Sequence, residues 1–320
     1  MRALRYHSYG SPEVLRIDEL PEPSPAVGEA KIRVRTVGLN PIDWKILAGH
    51  VRYVPVFRSP PRGVGFDFAG EIVGVGGGGT SRHVGQRVFG ALTPFGREGA
   101  CAQYIVVPYD RILELPTEID DIQAAALPMA GGTALQALAD EAHLAARQRV
   151  LITGAAGGIG HFAVQIAKHI GAHVVAVCSA RNVEFARSLG ADEVIDYAKD
   201  DFTRRDDRFD VIFDAACASS FAAARRVLTE SGVYINTGGD FASFLQTAAS
   251  AVLTRLTSRQ RAIPVALRSG VTIWRRLLDL VREGVIRAHV ERTVTMEEVA
   301  DAFRAMETGH GRGKIVARLA

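Results

Sequence analysis

Two regimes of hydrophobic patterning divide the chain. From Met1 to about Pro116, β-branched runs such as KIRVRTVGL, EIVGVG, QRVFGAL and AQYIVVP are broken by glycine and proline, with little helical periodicity. Those are strand signals with turn punctuation. From about Ile119 to Gly239 the pattern alternates. Short apolar runs at Val150–Thr153, Val174–Cys178, Glu193–Asp196, Val211–Asp214 and Val233–Asn236 are mostly separated by helical patterns such as VEFARSLG and SSFAAARRVLTESG. Strands alternating with helices predict right-handed βαβ units and a parallel sheet covered on both faces. From about Val271, the helical patterns IWRRLLDLVREG and MEEVADAFRAME precede a strand-like KIVARL behind the turn GHGRG. The pattern alone does not decide which domain that last strand joins. The segments Leu47–Arg62 and Phe241–Arg268 are read as loops.

The stretch ITGAAGGIGHFAVQIAK (Ile152–Lys168) carries the most chemistry. A buried-strand run ends at Thr153, and a glycine-rich turn begins at Gly154. Ile159, Phe162, Ala163, Ile166, Ala167 and Ile170 then share one helix face, which Gly171 stops. Such a turn leaves the first helical N–H groups unpaired and aimed at one spot, at the positive end of the helix dipole. Small side chains let pyrophosphate oxygens approach the backbone there. The glycines, Gly154, Gly157, Gly158 and Gly160, are one residue more widely set than G-x-G-x-x-G. Close helix–strand packing is the alternative. The strand before, the helix after and the βα units that follow favour a cradle at Gly157, Gly158 and Ile159.

The second strand of the series ends VVAVCSARN, with no acid before Glu184. Ser179 and Arg181 stand where NAD sites carry a carboxylate for the ribose 2′-OH. A hydroxyl plus a guanidinium suits a 2′-phosphate, so NADPH is expected. The other reading of Arg181 is the start of a solvated helix.

Length and composition narrow the class. At 320 residues and 48% apolar, the chain has ample core and a prior for two domains. Its 38 Lys+Arg against 35 Asp+Glu leave +3, too slight and too evenly spread to imply nucleic acid or an anionic membrane. Cys101, Cys178 and Cys217 are far apart and odd in number, which suggests neither a disulfide framework nor a structural zinc site. The first residues carry no apolar signal core, and FASFLQTAASAVLT is too short and too rich in Ser and Thr to span a bilayer. A cytoplasmic location is expected.

LITGAAGGIGHFAVQIAK resembles the signature of zinc-free quinone oxidoreductases, the zeta-crystallin-like branch of the medium-chain dehydrogenase/reductases. VGLNPIDWKILAG (Val37–Gly49), GFDFAGEIVGVG (Gly65–Gly76), PMAGGTALQAL (Pro128–Leu138) and GHGRGKIVARL are similar to that family in the same order. Arg147-Gln148 departs from its usual turn, a surface difference. The resemblance implies an α/β chain with a GroES-like β-barrel catalytic domain, 1–118 with 271–320. A Rossmann doubly wound parallel-sheet domain, 119–270, is inserted between, with nicotinamide in the cleft. The glycine turn falls mid-chain for that reason. Zinc-dependent relatives carry a Cys ligand where Asn40 stands and a His-Glu pair where Phe66-Asp67 stands, so no metal is expected. Without a Lewis acid, hydride addition to quinones or α,β-unsaturated carbonyls is favoured, because their negative charge delocalises.

Further candidates follow, each with a plainer role beside it; the resemblance carries Asn40, Thr133 and Tyr197. Asn40 is a contact to the acceptor or the nicotinamide ribose, or a turn residue before Pro41. Tyr53 is a proton donor or stacking ring, or a packing tyrosine. Thr133 lies near the nicotinamide, or serves as a capping hydroxyl. Tyr197 lies beside the 2′-phosphate, or closes a strand end. Gly238 and Gly239 border the cofactor, or only turn the chain. Lys314 reaches the cofactor, or is a surface lysine. The resemblance also implies a homodimer through Rossmann edge strands. An enoyl-thioester reductase and a non-catalytic NADPH-binding scaffold remain alternative functions.

Overall fold

The β-branched first third folds into strands. These are β1 (Arg2–Tyr6), β2 (Leu15–Glu19), β3 (Glu29–Leu39), β4 (Arg62–Gly63), β5 (Asp67–Val75), β6 (Arg87–Ala91), β7 (Tyr104–Pro108) and β8 (Ile112–Glu114). Helices α1 (Pro41–Leu47) and α2 (Asp121–Ala126) accompany them. The alternating region runs α3 (Pro128–Leu135), β9 (Arg149–Thr153), α4 (Gly160–Ile170), β10 (His173–Cys178), α5 (Val183–Ser188) and β11 (Glu193–Asp196). It continues with β12 (Phe209–Asp214), α6 (Phe221–Ala224), β13 (Leu228–Asn236), α7 (Phe241–Thr257) and β14 (Arg261–Pro264). Last come α8 (Val271–Arg282), β15 (Val290–Val294), α9 (Val299–Glu307) and β16 (Lys314–Arg318). This is a computed structural model that describes residues 1–54, 59–78, 81–237, 241–266, 268 and 270–319.

The chain divides into two compact units. One comprises Met1–Met129, Ser269–Leu278 and Ala288–Ala320; the other comprises Ala130–Arg268 and Asp279–Arg287. In the first unit the main sheet runs β15-β16-β3-β5-β6-β8, with β7 also paired to β3, and a smaller sheet runs β2-β1-β4. This is the GroES-like part. The alternation of β3 buries Ala30, Ile32 and Val34 while Arg33 stays exposed, and beyond Thr36 every residue of the strand is buried. The core gathers Ile32, Val34, Phe68, Ile72, Val88, Ile105, Phe303 and Ile315, each such side chain contributing about 1.5–3 kcal/mol. Helix α2 lies so close to β3 that a Cβ on Gly38 would stand 2.0 Å from the Ala125 carbonyl oxygen.

The second unit holds a parallel sheet in the order β11-β10-β9-β12-β13-β14. The order reverses between β9 and β12, which is the Rossmann arrangement and places the ligand crevice at the carboxyl ends of those strands. Four residues of β9 are buried, as a central strand covered on both faces requires. Gly171 ends α4 at φ 87°, as its position at the end of the periodic run predicts.

Three readings of the sequence change here. The helical pattern SSFAAARRVLTESG yields only the short α6 and a 3₁₀ turn at Arg225–Val227, because β13 already begins at Leu228. Pairing with β12 overrides the local propensity of that alanine-rich run. Phe241–Arg268 is not loop but contains α7 and β14, and α7 inverts the usual pattern. Thr247 and Thr254 are buried while Leu245, Val252 and Leu253 are exposed. The last strand, left open by the pattern, is β16, paired antiparallel with β3 in the first unit.

Candidate active site

The β9–α4 turn has the geometry of an anion cradle. Gly154 adopts φ 59°, and a Cβ on Gly160 would lie 2.1 Å from the Gly154 carbonyl oxygen, so glycine at both positions shapes the turn. Gly157 differs. A Cβ there would meet Gly154 O at 3.2 Å and nothing else within 4 Å, and would stand over the turn itself. His161 N–H returns to Gly157 O at 3.1 Å and Ala163 N–H to Ile159 O at 3.0 Å. Among the described residues, the N–H groups of Gly158 and Ile159 meet no protein acceptor. Two unpaired donors at the start of an eleven-residue helix fit a pyrophosphate.

Parallel pairing sets the next candidates side by side. Cys178 of β10 is in register with Asp196 of β11, and the Tyr197 N–H donates to Cys178 O at 3.2 Å. Ser179 and Tyr197, the residues that follow, therefore sit together at the carboxyl edge of the sheet. Arg181 is exposed on the 3₁₀ turn Ala180–Asn182, and Asn182 Nδ2 donates to Ser179 Oγ at 3.3 Å. Ser179, Arg181 and the half-exposed Tyr197 thus follow two neighbouring strand ends at one edge of the sheet.

Asp214, at the end of β12, escaped the sequence reading. Its buried carboxylate accepts from Thr153 Oγ1 at the end of β9, from the N–H groups of Ala218 and Ser219 (both 2.9 Å), and from Tyr234 Oη (2.8 Å). It ties the strand that leads into the cradle to the loop after β12. Burial and the neighbouring Asp214 carboxylate push the Tyr234 phenol well up, so it stays a donor. An acid closing the apolar run VIFD was the available signal.

In the first unit, Asn40, Asp43, Asp67 and Lys314 form a fully buried polar cluster. Asn40 caps α1, and the Asp43 carboxylate accepts its backbone N–H at 2.7 Å. Asn40 Nδ2 donates to Gly38 O (3.1 Å) and Asp67 Oδ2 (3.0 Å). Lys314, at the start of β16, donates to Leu39 O at 2.8 Å and to Asn40 Oδ1, with Asp67 Oδ2 4.0 Å away. Met129 N–H also donates to Asp67. Asp43 Oδ1 and Asp67 Oδ1 are buried without a hydrogen-bond partner among the described residues. Asp43 and Asp67 were missed as members of the site, although Asn40-x-x-Asp43 has capping-box spacing and Asp67 interrupts the apolar run GFDFAG.

Burial raises the Asp43 carboxyl from 3.8 to about 8, with the Asp67 charge adding to the shift. Burial takes Asp67 to about 6 against the pull of Lys314, and burial also lowers the Lys314 ammonium. Between about pH 4 and 8 the folded chain keeps a proton on Asp43 that the unfolded chain has released. Stability therefore falls as pH rises through that window, by up to about 1.4 kcal/mol per pH unit. Asp43→Asn keeps an acceptor for the Asn40 N–H and removes the titration. Its thermal midpoints from about pH 5 to 8 are expected to vary less than those of the parent; equal slopes would refute the assignment.

The remaining candidates are dispersed. Tyr53 is 81% exposed in the turn after α1, with Arg52 donating to its hydroxyl and the guanidinium 4.6 Å from the ring centroid. Thr133 is buried within α3, in the second unit. Gly238 and Gly239 lie outside the described residues. Phe66 is buried, and among the described residues no group of three or more His, Cys, Asp or Glu is gathered as metal ligands. No helix among them is long and apolar enough to cross a membrane.

A chain that combines a GroES-like unit and a Rossmann unit with a glycine cradle is an oxidoreductase of the medium-chain dehydrogenase/reductase class. Residues 26–117 match the family model for the alcohol dehydrogenase GroES-like domain, and 189–316 match that for zinc-binding dehydrogenase. The chain is 34% identical to the chloroplast envelope quinone oxidoreductase homolog of Arabidopsis thaliana, over 99% of this chain and 98% of that protein. It is 30% identical to the NADPH-dependent alkenal/one oxidoreductase of the same plant, over 99% and 79%. Among solved structures, the quinone oxidoreductase of Coxiella burnetii superposes with a TM-score of 0.88 at 28% identity, over 100% and 99% of the two chains. The Escherichia coli quinone oxidoreductase complexed with NADPH shares the fold, at a TM-score of 0.87 and 24% identity over 99% and 100%. The chain belongs to the zinc-free quinone oxidoreductase family.

Proposed function

We propose that this enzyme transfers hydride from NADPH to the conjugated carbonyl system of a quinone or an enone without zinc. The observation that carries the reading is the sheet edge of the second unit. The Gly157–Ile159 cradle offers donors to a pyrophosphate, while Ser179, Arg181 and Tyr197 gather where a 2′-phosphate would sit. The names of the Arabidopsis alkenal/one oxidoreductase and the Escherichia coli complex, both citing NADPH, support it. In the first unit, Asn40 and buried Phe66 stand where zinc-dependent relatives carry ligands. Hydride addition to a conjugated acceptor spreads charge onto oxygen, where solvent or a phenol such as Tyr53 protonates it. In this reading 1–118 and 271–320 form the catalytic domain and 119–270 binds the cofactor.

Oxidation of NADPH and NADH is followed with ortho- and para-quinones, enones, enoyl thioesters and saturated ketones. Turnover with quinones or enones, and none with saturated ketones, is expected. Preference for the thioesters would make the enzyme an enoyl reductase. Tight NADPH binding with no turnover would make it a scaffold.

The same reading includes a homodimer. β14 is the edge of the parallel sheet, and Leu245, Val252 and Leu253 of neighbouring α7 are 50–64% exposed, an apolar face suited to a second copy. Two of the three free cysteines are buried, which suits the reducing cytoplasm.

A further inference from the structure

We infer that the His161 imidazole latches the Gly157–Gly158 peptide and so keeps the Gly158 N–H turned toward a bound pyrophosphate. His161 is then a positioning residue for the cofactor. The latch stands on the geometry of the second unit alone, where all three residues lie, and its functional half rests on the pyrophosphate reading of the proposed function.

The peptide between Gly157 and Gly158 is the freest in the turn. Neither flanking residue has a Cβ, so its plane rotates at little steric cost. Rotation would replace the N–H that faces a ligand by a carbonyl oxygen, which repels a phosphate. Two hydrogen bonds oppose it. Gly157 O accepts the backbone N–H of His161 at 3.1 Å and stands 2.9 Å from His161 Nδ1. A carbonyl oxygen only accepts, so Nδ1 carries the hydrogen, and the two N–H groups occupy both lone pairs of Gly157 O. The backbone bond belongs to the helix start, whereas the ring bond is what histidine adds. The ring is itself held. His161 is 0% exposed, and the Phe162 ring lies 4.0 Å from it, centroid to centroid. The His161 carbonyl oxygen accepts from Gln165 Nε2 at 2.8 Å, one turn along α4.

The C=O and N–H of a trans peptide point in opposite directions. With Gly157 C=O held toward α4, the Gly158 N–H is set away from the helix, on the side where it meets no acceptor among the described residues. A donor aimed in advance loses no freedom when a phosphate oxygen arrives, so the latch strengthens binding by preorganisation. Its benefit is local. It favours the pyrophosphate, and leaves untouched a 2′-phosphate held by Ser179, Arg181 and Tyr197 beyond other strand ends.

The test compares two variants of the full-length protein. His161→Phe keeps a buried ring without nitrogen, and His161→Asn places an amide N–H where Nδ1–H stood. Dissociation constants are measured for NADPH and for adenosine 2′-monophosphate, which has the 2′-phosphate but no pyrophosphate. His161→Phe is expected to weaken NADPH about five- to tenfold and to leave adenosine 2′-monophosphate within about twofold of the parent, and His161→Asn should recover most of the loss. Unchanged NADPH affinity in His161→Phe would overturn the inference. Equal losses for both ligands would mean a general loosening of the unit and would overturn it too, as would a His161→Asn variant no better than His161→Phe. In ¹⁵N-labelled parent, with the ring signals assigned by their loss in His161→Phe, Nδ1 should carry a hydrogen; a bare Nδ1 would overturn the latch. Failure of the parent to bind NADPH, with Nδ1 protonated, would instead strike the proposed function and leave the latch standing.

Discussion

Arg181→Asp is expected to reverse the nucleotide preference. If Arg181 meets the 2′-phosphate beside Ser179, the substitution removes a charge-assisted hydrogen bond worth about 1.5–3 kcal/mol, or about 10- to 100-fold in NADPH affinity. The new carboxylate also repels the phosphate and offers an acceptor to the free 2′-OH of NADH. The two effects act in opposite directions on the two nucleotides, so the ratio of their kcat/KM values should move by about 10²- to 10³-fold. Arg181 lies on an exposed 3₁₀ turn, so the fold should tolerate the change. Parallel steady-state kinetics with both nucleotides and one acceptor provide the measurement. An unchanged ratio would remove Arg181 from the site, and with it the main argument for NADPH.

Lys314→Met alone is expected to cost far more stability than Lys314→Met together with Asp67→Asn. The single variant strands the Asp67 carboxylate in a fully buried position, where its partners are the Asn40 amide and the Met129 N–H. Breaking one side of a buried pair costs about 3–5 kcal/mol, whereas replacing both charged members is often neutral. For a unit of this size that is a fall of about 6–20 °C in the melting midpoint. Restoring most of it with Asp67→Asn in the same chain would show that the loss is electrostatic. Equal losses in the single and double variants would point to packing around the lysine stem. Because Asp67 carries a raised pKa, the single variant should suffer less at acid pH, where protonation removes the stranded charge.

Local signals account for most of what could be read from the sequence. The β9–α4 turn was legible because the change from strand run to helix periodicity coincides with four glycines in seven residues. Ser179 and Arg181 followed from their distance beyond it. What was hidden depended on distant pairing. Nothing in GRGKIVARL says that Lys314 turns inward, since its partner Asn40 lies 274 residues away and reaches it only because β16 pairs with β3. The helical reading of SSFAAARRVLTESG failed because β12 recruits the chain from Leu228 onward. α7 went unseen because its apolar side chains face outward, and periodicity marks a helix only when its stripe agrees with burial.

The position of β16 also bears on how the molecule is made. A ribosome delivers the whole Rossmann unit before the strand that pairs with β3, so the nested unit can acquire its structure while the outer one still lacks an interior neighbour of its sheet. Until that strand emerges, the Thr36–Leu39 end of β3 lacks its partner, although Glu29–Arg33 already pairs with β7, and Asp67 and Asn40 wait for their cation. The GroES-like sheet therefore receives β16 only after the whole Rossmann unit has been made.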